Sequence, residues 1–180
     1  AIFYDIFTEN EKPRAFDVLL DIIHEDNDSF TCGFLGIRVL FHVLSEFGES
    51  ELAYKMITKP DFPSYGYWVE KGETTMLENF EEYGEYYSKS KNHHFLADVE
   101  NWFMSCPGGI NVRNSNEVII KPRFIRQLEW CRATHKLPNG DVKVFWVRTN
   151  NGIELKADVA AGIKYSIEID EKCDETILIK

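Results

Sequence analysis

The sequence predicts a mixed fold in which helices come first and strands follow. Apolar residues recur at helical spacing through the first 110 of the 180 residues, and beyond residue 110 they alternate with polar ones. The net charge changes at the same point. It is -12 over residues 1–110, with 8 basic and 20 acidic side chains, and +2 over residues 111–180, with 12 basic and 10 acidic. We therefore expect two units, 1–110 and 111–180.

The composition excludes several classes of protein. Apolar residues make up 44% and aromatic residues 14%, which is too rich for a disordered chain. A net charge of -10 repels nucleic acid and anionic lipid, so we expect neither as a partner. No apolar run reaches the roughly 18 residues of a membrane span. The chain opens with Ala1 and an apolar stretch, which suggests a cut through a longer protein.

Cysteine and histidine usage gives no indication of a metal site. The four cysteines are dispersed and form no CxxC pair, so we expect small buried hydrophobes, and this usage favours the cytoplasm over a secreted location. His93 and His94 are adjacent, and neighbouring helical residues point about 100° apart, so they cannot share one metal ion. We expect no metal and no cofactor.

The first helices follow from their apolar stripes. Pro13 suits a helix start, and an i, i+3, i+4, i+7 stripe follows it, formed by Phe16, Leu19, Leu20 and Ile23. The segment 33–47 is apolar on nearly every side and Gly48 is placed to end it. Such a helix needs neighbours all round, and too few are present. We expect them upstream of Ala1, the alternative being an oligomer.

Two further helices complete the first unit. Ser50 is placed to cap a short helix with a stripe of Leu52, Ala53, Met56 and Ile57. Another helix is expected to start near Asn92 and to end at Pro107-Gly108-Gly109. Its packing residues are Phe95, Leu96, Val99, Trp102 and Phe103.

The second unit has the pattern of an antiparallel β-sandwich. Val118-Ile119-Ile120 is a short apolar run ended by Pro122. Asn139-Gly140 and Asn151-Gly152 are strong hairpin signals. Apolar and polar residues alternate over 153–159 and again over 163–170, which predicts strands with one polar face.

The segment 59–80 carries the residues with the clearest chemical potential. Two prolines, two glycines and several aromatic residues precede Glu78. Aromatic faces beside carboxylates suit a sugar, whose C–H faces stack on rings while carboxylates bind its hydroxyls. The alternative is an aromatic edge of the core.

Glu78 and His93 each have a structural alternative. Thr75-x-x-Glu78 matches a capping box, in which the glutamate bonds back to the helix start. Ser90 or Asn92 could cap the helix in which His93 lies near the start. The acidic run of Glu81, Glu82 and Glu85 is typical of a solvated helix face.

Four motifs in order resemble those of the α-L-rhamnosidases of glycoside hydrolase family 78. Thr31-Cys32-Gly33-Phe34-Leu35-Gly36 resembles a TGFLGT segment, and Phe62-Pro63-Ser64-Tyr65-Gly66-Tyr67-Trp68 a YPSWGYW loop. The stretch 72–78 is similar to GATTxWE, and 90–93 to SxNH. The strands from Val118 onward are similar to the family's C-terminal β domain. The resemblance spans the chain, but only the last part of a family member.

The resemblance implies a fold and an activity. The fold is the last part of an (α/α)₆ six-hairpin barrel, followed by the β-sandwich. The activity is the inverting hydrolysis of terminal α-L-rhamnosides, with Glu78 as general base and His93 in contact with rhamnose. Tyr67 and Trp68 would be sugar platforms. In the family the general acid lies in the upstream half of the barrel, so the chain alone should be inactive. That upstream half is also an expected structural partner. Without it the chain should expose barrel interior and self-associate.

The chain departs from the family pattern at three positions. Leu77 and Phe80 stand where the family usually has Trp, and Ala97 where it has Gly. These departures leave open whether the sugar preference is altered or the activity is lost. Two alternatives therefore stay open: another (α/α)₆ glycosidase with a different sugar preference, and a non-catalytic carbohydrate-binding or interaction module.

Overall fold

The protein consists of a helical unit and a β unit. The computed structural model describes residues 1–80, 90–170 and 173–180, and it divides into Ala1–Val99 and Glu100–Lys180. Glu81, Glu82 and Glu85 lie outside the described residues. The order of helices followed by strands is confirmed. None of the described helices has the length and apolar character needed to cross a membrane.

The described residues form five α-helices, and the predicted apolar stripes are largely buried. Phe16 and Ile23 are buried in the first helix, and the stripe from Leu52 to Ile57 is buried in the third. The rings of Phe16 and Phe47 stack at 4.2 Å and join the first two helices. The helices are α1 (Lys12–Glu25), α2 (Phe34–Glu46), α3 (Ser50–Thr58), α4 (Tyr65–Glu70) and α5 (Asp98–Ser105).

The end of α2 confirms the prediction for Gly48. Gly48 has φ +98°, and its N–H donates to Ser45 O at 3.2 Å. The next residue, Glu49, donates to Leu44 O at 2.7 Å, which completes a Schellman motif. Ser50 is not the cap of α3, because the helix already includes it and no side chain caps the helix start. The α2 helix is not buried all round either, since Leu35 is 70% exposed.

The helix expected near Asn92 begins later. His93 precedes a short 3₁₀ turn, His94–Leu96, and α5 follows from Asp98. Neither Ser90 nor Asn92 caps a helix, because residues 90–93 are not helical and backbone groups of Ser90 and His93 bond to the segment before Phe80. Leu96, Val99 and Trp102 are buried as predicted, whereas Phe95 is 44% exposed.

The β unit contains two sheets that share one core. The three-stranded sheet has the order β1-β2-β6, and the four-stranded sheet β3-β4-β5-β7. Residues of both sheets, among them Val118, Trp146 and Leu155, form one buried cluster. The strands are β1 (Ile110–Asn114), β2 (Glu117–Ile120), β3 (Trp130–Leu137), β4 (Gly140–Thr149), β5 (Gly152–Val159), β6 (Lys164–Ile167) and β7 (Ile177–Ile179).

The sandwich is mostly antiparallel, as predicted, but two pairings in the described residues are parallel. They join β2 to β6 and β5 to β7. Tyr165 was expected on the buried face but is 53% exposed, because β6 is an edge strand and is covered on one side only. The exposed Cys32 likewise contradicts the expectation that the cysteines are buried, whereas Cys106 meets it.

Both predicted hairpins form with two-residue loops. Leu137 pairs with Gly140, and Thr149 pairs with Gly152. Each glycine therefore begins a strand instead of completing the loop, and its φ is positive, +132° at Gly140 and +117° at Gly152. A Cβ on Gly152 would lie 2.2 Å from Thr176 O, so glycine is required there by space as well as by φ.

Candidate functional site

Ser64 organises the segment that carries Tyr67 and Trp68. Its side chain is fully buried, donates to Lys59 O, and accepts a hydrogen bond of 2.8 Å from the backbone N–H of Tyr67. That is the N-cap bond that starts α4. The aromatic segment predicted as a loop therefore contains a short helix. The sequence feature that could have predicted this helix is Ser64, three residues before Tyr67. The neighbouring Pro63 and Gly66 instead favoured a loop.

Trp68 belongs to a buried aromatic cluster. It is 4% exposed, and its ring stacks on Phe80 at 4.2 Å with 8° between the planes. Tyr65 packs edge-on against both rings, at 5.3 and 5.0 Å, and its hydroxyl donates to Leu96 O at 2.7 Å. Burial, with a smaller contribution from Asp98, raises the pKa of Tyr65. The phenol is thus a neutral structural donor.

Backbone hydrogen bonds hold the Glu78 and His93 segments side by side. The N–H of Glu78 donates to Ser90 O at 3.2 Å, and the N–H of His93 donates to Met76 O at 2.8 Å. The hydroxyl of Thr75 donates to Lys91 O. Residues 76–80 are not helical, so the capping box is not formed at Thr75–Glu78. A long-range pairing has replaced the local one that the sequence pattern suggested.

Glu78 is exposed at a cavity of about 410 Å³ with largely apolar walls. Asn79 is the other polar side chain from the same segment. The remaining lining comes from the TGFLGT-like and YPSWGYW-like segments, from the 3₁₀ turn and from two further phenylalanines, Phe30 and Phe80. The residues of the three segments are Thr31, Cys32, Gly33, Phe34, Phe62, Pro63 and Leu96. Three of the four motifs therefore meet at one cavity. A carboxylate at an aromatic-walled cavity can accept protons from water or from hydroxyl groups of a ligand.

His93 is half-buried and is joined to the cavity wall through a row of rings. Phe95 packs edge-on against His93 at 4.8 Å and stacks on Phe34 at 5.1 Å. Phe34 is 42% exposed and lines the cavity. The SxNH-like segment, the fourth motif, is therefore linked to the cavity wall through these ring contacts. The sequence did not predict the Phe34–Phe95 pair, because Phe95 fits a buried helical stripe equally well.

Tyr67 and Trp68 support the walls from behind. Tyr67 packs edge-on against Phe62 at 5.7 Å, and Lys71 Nζ lies over the Tyr67 ring, 5.2 Å from its centre. Phe62 and Phe80, against which Tyr67 and Trp68 pack, are two of the four phenylalanine rings that line the cavity. The sequence predicted Tyr67 and Trp68 as sugar platforms, and these are the residues that pack against Phe62 and Phe80. Among the described residues, no group of three His, Cys, Asp or Glu side chains comes together as a metal site would require.

Family models match both parts of the chain. Residues 1–106 match the bacterial α-L-rhamnosidase six-hairpin glycosidase domain, and residues 116–176 match the bacterial α-L-rhamnosidase C-terminal domain. The boundary predicted at residue 110 lies in the gap between the two matches.

Curated relatives carry the same name. An α-L-rhamnosidase of Alteromonas sp. is 26% identical over 91% of this chain and 19% of its own length. One from Formosa agariphila is 28% identical over 99% of this chain and 20% of its own. The chain thus spans about a fifth of the length of these relatives.

Solved structures agree in fold. The α-L-rhamnosidase of Dictyoglumus thermophilum superposes with a TM-score of 0.88 at 26% identity, over 96% of this chain and 20% of that one. The Streptomyces avermitilis α-L-rhamnosidase complexed with L-rhamnose gives 0.84 at 26% identity, over 92% of this chain and 17% of that one.

Proposed function

Because the chain belongs to the α-L-rhamnosidases of glycoside hydrolase family 78, we propose that it is the C-terminal part of an inverting enzyme that hydrolyses terminal α-L-rhamnosides. The observation that carries the proposal is the exposed Glu78 at the aromatic-walled cavity, held by its backbone bond to Ser90. Three family motifs contribute to that cavity, and a fourth reaches its wall through Phe95.

Glu78 is proposed as the general base. Its carboxylate takes a proton from a water molecule, which attacks the anomeric carbon from the face opposite the leaving group. A second carboxyl protonates the leaving oxygen, and in inverting enzymes the two groups are about 6.5–9.5 Å apart to admit the water. The general acid is proposed to lie in the upstream part of the protein, so the 180-residue chain alone is expected to be inactive.

His93 is proposed to contact the sugar. An imidazole can donate or accept a hydrogen bond with a hydroxyl, according to its tautomer. The bond of 2.8 Å from its N–H to Met76 O fixes its backbone against the Glu78 segment. For Tyr67 and Trp68 we propose the supporting role given by their packing, in which they set the positions of Phe62 and Phe80.

The upstream half of the barrel is the proposed structural partner. In the helical unit Tyr4, Ile6, Leu35 and Val69 are each 67–73% exposed. Side chains of this size gain about 1.5–3 kcal/mol each when they are buried. On its own, the chain is expected to self-associate through such surfaces, and sedimentation showing a clean monomer would contradict that expectation.

The test is made on the full-length protein with an aryl α-L-rhamnoside. Glu78→Gln keeps the size of the side chain and removes the base, so we expect kcat to fall by about 10²–10⁴ with little change in thermal stability. Glu70→Gln, at the exposed end of α4, is the matched control and should leave kcat unchanged. NMR of the first-formed rhamnose should give the inverted β-anomer. A Glu78→Gln variant within about tenfold of the unchanged protein would refute the role.

The departures from the family pattern leave room for another sugar. Leu77 is 1% exposed, directly before Glu78, and Phe80 lines the cavity. Replacing tryptophan by smaller side chains at both positions changes the volume and shape available to a ligand. A panel of aryl glycosides of other deoxy sugars and of uronic acids separates a changed preference from rhamnoside hydrolysis. Saturable rhamnose binding without turnover in the full-length protein would instead indicate a binding module.

A further inference from the structure

The outward face of the four-stranded sheet in the β unit carries exposed aromatic and cationic side chains. On β3, Trp130 is 58% exposed and Arg132 is exposed on the same face, while the next residue, Ala133, is buried in the core. The register places Arg132 beside Phe145 of β4, and Phe145 beside the exposed Lys156 of β5. Trp130, Arg132, Phe145 and Lys156 form what we call the β3–β5 patch.

The Arg132 side chain is positioned by its neighbour in the patch. Its guanidinium carbon Cζ lies 5.4 Å from the centre of the Phe145 ring, which is within the range of a cation–π contact. Stacking on a ring restricts the side chain but uses none of its N–H donors. Within the described residues, neither Arg132 nor Lys156 takes part in a hydrogen bond or an ion pair through its side chain. Two cations with unused donors therefore face solvent on either side of one aromatic ring.

Acidic side chains on this face have lysine neighbours outside the patch. Asp141 Oδ2 lies 3.9 Å from Lys143 Nζ, and Glu154 Oε2 lies 2.6 Å from Lys180 Nζ. Asp158 is the cross-strand neighbour of Lys143 as well. The row formed by the two cations and the ring contains no carboxylate, so the patch is positive although the whole chain carries a net charge of -10.

We propose that the β3–β5 patch binds an acidic polysaccharide, a polymer whose sugar units carry carboxylates. The exposed Trp130 ring offers a face for the C–H groups of a sugar, and Arg132 and Lys156 offer charge-assisted hydrogen bonds to carboxylates. Arg132 and Lys156 lie two strands apart, which is about 10 Å, so a linear polymer that crosses the strands can reach both cations. The patch lies in the β unit and binds without any contribution from Glu78.

The composition of the patch argues against other occupants. An apolar protein surface would remove Arg132 and Lys156 from water without giving their charges a partner, which is costly. A neutral polysaccharide would use Trp130 and leave both cations unmatched. A nucleic acid carries one charge about every 1.7 Å of helix axis, which is more than two cations can match on a chain of net charge -10. A polysaccharide with at most one carboxylate per sugar unit has a much lower charge density.

The test measures the affinity of the full-length protein for polygalacturonate by isothermal titration calorimetry, with a neutral galactan as the comparison polymer. Polygalacturonate contains no rhamnose, so its binding reports on the patch. We expect Trp130→Ala to weaken this binding about tenfold, and Arg132→Gln about threefold or more. The galactan should bind at least about tenfold more weakly than polygalacturonate.

Each variant has a matched control on the other sheet of the β unit. Tyr165→Ala removes an aromatic ring that is 53% exposed on β6, and Arg113→Gln removes an exposed charge from β1. Both should bind polygalacturonate as the unchanged protein does. Thermal melting checks that all four variants are folded, and hydrolysis of an aryl α-L-rhamnoside should stay within about twofold in each.

The outcomes separate the patch from the Glu78 cavity. Equal affinity for the two polymers would overturn the proposal, because the cations would then contribute nothing. A loss in Arg132→Gln without one in Trp130→Ala would also overturn it, because the patch would then attract any polyanion. No binding of polygalacturonate by the unchanged protein would refute the patch whatever the activity on aryl rhamnosides, and that activity tests the proposed function separately.

Discussion

The two units differ in how completely each buries its own apolar residues. In the β unit, ten buried residues form one cluster, nine of them in strands of the two sheets and one, Ile163, directly before β6. The most exposed large apolar side chain among the unit's described residues is Trp130 at 58%. In the helical unit, Ile6, Leu35 and Val69 reach 70–73%. The residues proposed for catalysis and rhamnose binding all lie in the helical unit. The unit that holds the residues proposed for catalysis and rhamnose binding is therefore the one that leaves its apolar side chains more exposed.

The two units also differ in what their polar contacts hold together. In the β unit, the partly buried Arg148 donates to three backbone carbonyls and to Glu175. The buried Trp146 Nε1 donates to Pro107 O at 2.7 Å. In the helical unit, Ser64 and the bonds of Glu78 and His93 hold segments around a cavity. The hydrogen bonds in the β unit therefore stabilise its core, whereas those in the helical unit hold the segments around the Glu78 cavity.

The sharpest test of this difference is a pair of leucines. Leu155 is fully buried in β5, so Leu155→Ala should lower the free energy of unfolding of the chain by about 2–5 kcal/mol. At a concentration where the chain is monomeric, Leu35→Ala should change it by less than about 0.5 kcal/mol, because the side chain is 70% exposed. Urea unfolding monitored by circular dichroism measures both values.

The same pair of variants in the full-length protein extends the test. If upstream residues cover Leu35, Leu35→Ala should there become destabilising, while the cost of Leu155→Ala stays as in the chain alone. A Leu35→Ala variant that is neutral in both contexts would contradict the idea that this part of the helical unit is an internal surface of a larger barrel.

Sequence patterns predicted features whose cause is local. Gly48 ends α2, and the hairpins form, because a positive φ at one residue decides each of them. The alternation in β5 predicted which face is buried. It could not identify the neighbouring strand, so the parallel pairing with β7 was not predicted. At the candidate site, Thr75-x-x-Glu78 satisfies a local pattern, yet the backbone pairs with residues 90–93 instead. Such long-range competition does not show in a short motif.

Arg148 gives the next largest expected effect. Arg148→Lys keeps the charge but loses the planar fork that reaches the carbonyls of Phe124, Ile125 and Leu128 together with Glu175. We expect the variant to destabilise the β unit by about 2–3 kcal/mol, because carbonyls are left without donors. Arg132→Lys, at an exposed position in β3, is the control. Equal thermal shifts for the two variants would count against Arg148 as an organiser of the β unit.

Gly66→Ala tests the helical unit in the same way. A Cβ at this position would lie 2.4 Å from Lys59 O and 2.5 Å from Thr58 O, which are backbone atoms that cannot move aside easily. We expect a loss of about 1–3 kcal/mol in stability, together with a displacement of α4 and so of the walls behind the cavity. Gly33→Ala meets no atom within 4 Å and should cost less. Similar losses from both substitutions would show that space at Gly66 is not the constraint.

The smallest effect expected is a pH dependence at the turn of Asn27 and Asp28, which have φ of +63° and +54°. The hydrogen bond from Lys55, aided by His24, lowers the pKa of Asp28. A lowered pKa in the folded state stabilises the fold fully above the unfolded value of about 3.9 and loses that contribution as the pH falls through the lower folded value. Asp28→Asn tolerates the positive φ, so it should remove this dependence at a cost below about 1 kcal/mol near neutral pH. Unfolding measured from pH 5 down to about pH 2, with the exposed Asp21→Asn as control, tests it. Lys59 Nζ also donates to Asn27 O at 3.0 Å and to Ser29 Oγ at 2.7 Å. An acid-induced loss as steep in Asp28→Asn as in the unchanged chain would mean that these bonds, and not the Asp28 carboxylate, hold the turn.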